Sequence, residues 1–376
     1  MKRVGSFLSL LLVVTVVLAA CGAPAPAAPA PTGDAPAVAD GGRCGDRSRL
    51  SSTVSFYNWS DYIDPEVLTL FEAECGVRVI YDTFASNEDL LGKLQAGATG
   101  YDLIVPSDYM ITIMIQLGML RELDHANIPN LAGLYDDFRN TPYDPGNRYS
   151  VPYQWGTAGI GYDGELVAEA PDSLAVFFDP AVAQQYARRF SLLNDARETI
   201  GAALKYLGYS MNSTDPAQLE EAKQVILAIK PFVATFDSET YSNLLVAGET
   251  AVGHGWNGGF YQAIFDNEDR DLHFIVPKEG LTIFTDNLAI PVSAPNPYTA
   301  EVLINYLLDP EIAAQITNFT YYASPVETAR PFILDEIKED PGIYPPDDIL
   351  ARMEYLTDVG EATLLYERIW TEIKAE

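Results

Sequence analysis

Residues 53–106 read TVSFYNWSDYIDPEVLTLFEAECGVRVIYDTFASNEDLLGKLQAGATGYDLIVP, and the fold turns on this stretch. Thr53–Asn58, rich in β-formers, reads as a strand. Asp64-Pro65 is an N-cap followed by proline at the first helical position. Val67, Leu68, Leu70 and Phe71 then give one apolar helix face, and Gly76 stops the helix. Val77–Tyr81 is a second strand. Ser86-Asn-Glu-Asp89 resembles a capping box and opens a helix with Leu90, Leu91 and Leu94 on one side, ended by Gly97 and Gly100. Tyr101–Pro106 is a third strand. The order β-α-β-α-β with short connections predicts a parallel sheet with right-handed crossovers.

Outward from this unit, residues 151–163 (VPYQWGTAGIGYD) suit a strand with close backbone packing. Helices are expected over Asp195–Leu207, from Asp215-Pro216 to about Lys230, and near 297–307 and 311–319. Strands are expected at Ala251–Trp256, Phe274–Pro277 and Asn287–Pro291, and helical pieces follow Pro331. The order fits an open α/β architecture with two lobes. At 376 residues and 48% hydrophobic, the chain allows two domains with large cores.

The first 40 residues read as an address. Met1-Lys2-Arg3 is a basic start, Val4–Leu18 an apolar run too short for a typical membrane span, and Leu18-Ala-Ala-Cys21 follows at once. This resembles a bacterial lipoprotein signal, which implies cleavage after residue 20 and a lipid on Cys21; an ordinary secretory signal is the alternative. Residues 22–40 are nearly all Ala, Pro, Gly and Asp, a composition that predicts an extended tether, with a lead running to residue 50. Export makes the surroundings oxidising. Cys44 precedes the first strand and Cys75 closes the first helix, so both lie near the amino-terminal edge of the sheet and a disulfide is plausible; two unpaired thiols remain the alternative. With three histidines in the chain and no cysteine at metal spacing, a structural zinc site is disfavoured and no metal is expected.

The net charge is −30, which argues against nucleic acid as a partner and leaves cationic or neutral ligands open. In open parallel sheets, ligands bind beyond the carboxyl ends of strands. That rule selects Trp59-Ser60-Asp61-Tyr62 after the first strand and Ser107-Asp108-Tyr109 after the third. It also points to Asp195 with Glu198 on the same helical face, Trp256-Asn-Gly-Gly259 after a middle strand, Phe284-Thr-Asp286 before another, and Tyr321-Tyr322 near the end. The recurring pair is an aromatic with a carboxylate, and Lys, Arg and His are almost absent. Such a set suits an organic cation with an apolar stem. Each member also has a plainer reading: Asp195 as a helix cap, Asp61 and Asp108 as solvated loop charges, the tryptophans as core.

The motifs YNWSDYI, VIYDTFASNE, YDLIVPSDY, VPYQWGTAGIGYD, DARETI, LGYS, GWNGGF, PKEG, TDNLAIP and TDVG occur in one order over roughly residues 51–370. In this the chain resembles the spermidine/putrescine-binding proteins of polyamine ABC importers. The resemblance implies a two-lobed periplasmic binding protein fold of type II, each lobe a mixed or parallel sheet flanked by helices. One lobe would comprise 51–156 and 285–330, the other 157–284 and 331–376. It implies no cofactor and no enzymatic activity. Expected partners are a polyamine in the interlobe cleft and an ABC permease with its ATPase. The protein is expected to be a monomer, held by its lipid to the outer face of the membrane or in the periplasm. Position by position, Trp59, Ser60, Asp61 and Tyr62 resemble the family's first ligand loop, and Ser107 and Tyr109 its second. Asp195 and Glu198 resemble the acidic pair of spermidine binders, Trp256 a stacking tryptophan, Asp286 an ammonium carboxylate and Tyr322 a late aromatic. Phe284 stands where spermidine binders often have Trp and putrescine binders can have Phe. Leu356 stands where the spermidine type has Gln, and Gly259 where putrescine-selective members have Asp. The carboxylate count favours spermidine over putrescine. Two rival readings exist. One is a ferric-iron binder using Tyr321 and Tyr322. The other is an extracytoplasmic hydrolase with paired carboxylates, either Asp195 with Glu198 or Asp61 with Asp286.

Overall fold

A computed structural model describes residues 42–375 of the chain; the leader, Cys21 and the Ala/Pro-rich stretch lie outside the described residues. The opening unit is β1 (Thr53–Trp59), α1 (Pro65–Cys75), β2 (Arg78–Phe84), α2 (Asn87–Gln95), β3 (Leu103–Ile104) and α3 (Asp108–Gln116). β1 pairs in parallel with β2, Thr53 opposite Arg78, and in parallel with β3, Phe56 opposite Leu103. The local signals act as expected. The Asp64 carboxylate accepts from Glu66 N–H with Pro65 in the first turn, and the Ser86 hydroxyl accepts from Asp89 N–H. Gly76 ends α1 at φ 71°, a conformation in which any side chain would be strained.

A single 14-residue strand, β4 (Ser150–Asp163), joins the two halves of the molecule. It is followed by β5 (Phe190–Leu192), α4 (Ala196–Tyr206), α5 (Pro216–Ile229), β6 (Thr235–Phe236), α6 (Tyr241–Val246), β7 (Val252–Trp256), α7 (Asn257–Asp266), β8 (Leu272–Ile275) and β9 (Ile283–Ala289). The sheet runs β2-β1-β3-β9-β4-β7-β5-β6, with β8 also on β4. Ser150–Thr157 of β4 pairs antiparallel with β9, whereas Ala158–Asp163 pairs antiparallel with β7 and β8. The two halves of one strand thus belong to two half-sheets. Every residue of β4 but the half-buried Trp155 is buried, as expected of a strand with neighbours on both edges deep in the molecule.

The last strand differs from its expected bounds. It begins at Ile283 rather than Asn287, because Thr157–Gln154 of β4 pairs with Ile283–Asp286. Phe284, Thr285 and Asp286 therefore lie inside a strand and not ahead of one. α8 (Pro297–Leu307), α9 (Pro310–Thr320) and α10 (Thr363–Ala375) complete the chain. The tail divides its packing. Ile333, Ile337 and Ile343 join the core around Phe71 and Ile316, while Met353, Leu356 and Val359 join the core around Ile200 and Leu204.

Cys44 and Cys75 form a disulfide, their Cα atoms 5.3 Å apart, 31 residues apart in sequence. Beside it Arg43 pairs with Asp309 at 3.0 Å and Glu311 at 2.7 Å, so the lead into β1 is pinned to α1 and α9. Closing a loop of this length stabilises the fold by about 3–4 kcal/mol in the chain-entropy view. Urea unfolding with and without reductant is expected to differ by about that amount, and the unreduced, unfolded body is expected to show no reactive thiol. Two reactive thiols would refute the pairing.

Candidate functional site

All twelve residues singled out from the sequence as ligand contacts line one cleft at the junction of the half-sheets: Trp59, Ser60, Asp61, Tyr62, Ser107, Tyr109, Asp195, Glu198, Trp256, Phe284, Asp286 and Tyr322. The cleft holds about 940 Å³ of empty space measured out to its mouth. Asp286 is at its centre. β9 sets it opposite Gln154 of β4 and against Ser107 beyond β3. Tyr62 Oη donates to its Oδ2 at 2.7 Å and Ser107 Oγ to its Oδ1 at 2.6 Å. Ser107 is itself oriented by Asn87, whose side chain both donates to its hydroxyl and accepts its N–H.

The second acidic group comes from α4. The Asp195 carboxylate caps this helix by accepting Glu198 N–H at 3.0 Å, so its plain reading as a cap holds together with its place in the cleft. Glu198 accepts from Thr282 Oγ at 2.6 Å and from the Trp256 indole N–H at 3.3 Å. Across the cleft, Tyr109 Oη donates to Glu88 at 3.0 Å. The aromatic lining falls into two groups. Trp256 meets Trp59 at 6.3 Å, and Tyr322 meets Tyr62 at 4.8 Å and Phe284 at 6.0 Å, all edge-on.

Among the described residues that line the cleft, none is Lys, Arg or His. Burial therefore dominates the titration of its acids. It pushes Asp286 up to about 7, against the lowering effect of the Ser107 and Tyr62 hydrogen bonds. Burial, then the neighbouring Asp195 charge, raises Glu198 to about 7, and the same two causes raise Glu88 to about 7. Asp195 is raised by burial as well. The nearby cation, Arg197, does not line the cleft but lies 5.6 Å from the ring of Tyr109, which does, and its charge works against the upward shifts of Asp195, Glu198 and Glu88. Its guanidinium donates to Thr357 O and Asn212 Oδ1 and lies 4.9 Å from the Tyr366 ring. The cleft is thus an aromatic slot with buried carboxylates and no cation in its lining: Asp286 has no protein counter-charge, and Arg197 behind the wall only partly offsets the burial of Asp195 and Glu198, an arrangement fit to hold an elongated organic polycation.

Two expectations need correction. Asp108 is not a solvated loop charge: it is 4% exposed and accepts from Tyr109 N–H at 2.6 Å and Thr285 N–H at 3.0 Å, tying α3 to β9. Burial pushes it up to about 8. The two late tyrosines do not converge. Tyr322 enters the cleft, whereas the Tyr321 ring stacks on Phe265 at 4.8 Å outside it, so these two phenols do not face one point. Phe84, Asn87, Tyr241, Gln262 and Thr282 also line the cleft. Asn87 carried a local signal as part of the capping box; Tyr241 and Gln262 carried none, because they reach the site only through lobe packing.

Asp108→Ala leaves two N–H groups at the α3–β9 contact without their acceptor. Chemical denaturation is expected to show a loss of about 1–3 kcal/mol; an unchanged midpoint would show that the two N–H groups find other partners.

Comparison with known proteins agrees with this geometry. The sequence profile described as bacterial extracellular solute-binding protein matches residues 66–345. The spermidine/putrescine-binding periplasmic protein of Escherichia coli K12 is 37% identical over 327 residues, covering 86% of this chain and 92% of its own. The putrescine-binding periplasmic protein SpuD of Pseudomonas aeruginosa is 37% identical over 333 residues, covering 85% and 91%. The solved Tp0655 (TpPotD) lipoprotein of Treponema pallidum superposes with a TM-score of 0.75 at 30% identity over 86% of this chain and 100% of that one. The chain belongs to the bacterial extracellular solute-binding proteins, two-lobed binding proteins of ABC importers and not an enzyme family.

Proposed function

We propose that the protein captures a polyamine in this cleft outside the cytoplasm and delivers it to an ABC permease, with spermidine favoured over putrescine. The observation that carries the reading is the set of buried carboxylates, Asp286 and the Asp195/Glu198 pair, in an aromatic slot that supplies them no cation. A ligand ammonium at each would satisfy them, and the methylene stem would lie against Trp59, Trp256 and Tyr322. The names of the related proteins support the same ligand class. The twelve cleft residues named above are the contacts in this reading. Asp61, exposed near the mouth, takes the outermost nitrogen.

The lobes in this reading are 51–156 with 285–330, and 157–284 with the tail. The packing of Ile337 and Ile343 supports a last crossing between Tyr344 and Met353 rather than at residue 331. The body acts as a monomer, tethered by a lipid on Cys21. Ligand favours the closed form because only there do all the carboxylates meet their cations.

Spermidine carries three cationic nitrogens and putrescine two. Closing the cleft on the diamine leaves part of the acidic set buried without a cation, which is costly. Calorimetric titration of the body is expected to show spermidine tighter by about tenfold or more, equal to roughly 1.4 kcal/mol. Asp286→Asn is expected to weaken binding by about 2–5 kcal/mol and Trp256→Leu by roughly 1–2 kcal/mol. Equal small effects of both substitutions would place the ligand elsewhere.

The pH dependence has a definite sign. Asp286 and Glu198 have raised folded pKa values, so the empty folded cleft binds more protons than the unfolded chain. Their contribution to stability is present at low pH and lost as pH rises through about 7. Ligand ammoniums offset that loss. The rise in melting temperature caused by saturating spermidine is therefore expected to be larger at about pH 8 than at about pH 5. A gain independent of pH would remove these two acids from the ligand contacts.

A further inference from the structure

Tyr241 opens α6 and lies buried at the cleft wall. The start of α6 is fixed just upstream, where the Asp237 carboxylate accepts Glu239 N–H, Thr240 N–H and the Thr240 hydroxyl. The Tyr241 ring stands edge-on to Trp256 at 5.8 Å and 80°, and its hydroxyl donates to Trp256 O at 3.1 Å, at the end of β7. The indole N–H of that same tryptophan donates to Glu198.

The glycines around it report the same constraint. A Cβ on Gly255 would lie 2.4 Å from the Tyr241 ring carbons, and one on Gly259 only 2.2 Å from its hydroxyl. Neither glycine has the left-handed φ that would call for glycine by itself. Both positions lack a side chain because the phenol occupies the space. Two side-chain volumes are given up for one tyrosine, held against the backbone of the residue that carries the aromatic platform.

We propose that Tyr241 is a positioning residue for ligand selectivity: wedged between Gly255 and Gly259, it holds Trp256 so that the indole keeps Glu198 aimed at the third nitrogen of a triamine. The inference rests on the polyamine reading above. It follows that loss of Tyr241 disturbs the Glu198 end of the cleft more than Asp286, which Tyr241 reaches only at two removes, through Tyr322 and the Tyr62 ring packed on it, and which Tyr62 and Ser107 hold directly.

The test is a double-mutant cycle between Tyr241 and Gly259, with spermidine and putrescine titrated separately and indole fluorescence recorded. Tyr241→Ala is expected to weaken spermidine about tenfold and putrescine less than about threefold. Gly259→Ala alone is expected to act in the same selective way by displacing the phenol. In the Tyr241→Ala background, Gly259→Ala is expected to add less than about twofold, because the clash is gone. Tyr241→Phe keeps the ring while removing the hydroxyl's bonds to Trp256 O and to Tyr322, and is expected to lie between wild type and Tyr241→Ala with an altered indole emission. Equal weakening of both ligands, or independent multiplication of the two substitutions, would overturn the proposal. Wild-type protein that binds neither polyamine would overturn the polyamine reading instead. The packing claim would still be decided by whether the two substitutions are non-additive in melting temperature and indole emission.

Discussion

The arrangement depends on a carboxylate that has no protein cation. Asp286 sits 3% exposed in the middle of β9, held by two hydroxyls, and hydroxyl donors do not neutralise a charge. Removing an ion from water costs several kcal/mol unless a partner of opposite sign arrives with it. The protein supplies none at this point, so the closed cleft is complete only with a cationic guest. Glu198 and Asp195 add a second buried acidic group from the other half-sheet, where the Arg197 charge offsets burial only in part. The cost of closing empty is thereby written into both walls, and the guest that removes it drives the closure.

This charge can be held in position because the backbone around it is rigid. β4 and β9 run through the junction of the half-sheets, and the pairing of Gln154 with Asp286 sets the carboxylate at a point where neither strand ends. Gln154 in turn donates to Tyr62 O and accepts from Thr320 Oγ, which ties the first ligand loop and the end of α9 to the same strand. Asp108, accepting from Thr285 N–H, fastens α3 to the residue beside Asp286. The proposed ligand contacts are therefore carried by loops and strand positions whose supports lie within the sheet. This is the condition for reading a flexible polyamine by the spacing of its nitrogens.

Much of this was legible in the sequence because its signals are local. The caps at Asp64 and Ser86, the stop at Gly76 and the runs at Thr53 and Tyr101 place the β-α-β-α-β unit. The rule that ligands lie beyond strand ends then selects Trp59–Tyr62 and Ser107–Tyr109. What was not legible depends on partners far away in the chain. β9 starts at Ile283 because β4 is there to pair with it, which no window around Asn287 can show. Asp108 looks like a loop charge until Thr285, 177 residues on, presents its N–H. Tyr241 stands in a polar stretch, SETYSN, with no apolar period to mark it. Its importance is visible only in the space it takes from Gly255 and Gly259.

The overall charge and the site charge do different work. A net charge of −30 spread over the molecule draws polycations toward it and raises their encounter rate, an effect that salt screens within about 10 Å at moderate ionic strength. It does not distinguish one amine from another. Discrimination has to come from carboxylates that salt cannot reach, and those are the buried ones. Surface acids such as Glu220 or Asp335 pair with lysines on their own helices and contribute little to either step. Asp286 and the Asp195/Glu198 pair are the reverse case: few, desolvated, and with no cation in the cleft lining. In the proposed reading, an acidic surface that attracts every amine and a buried set that accepts only matching spacings together give capture without loss of selectivity, and only the second half of that pair requires a fold.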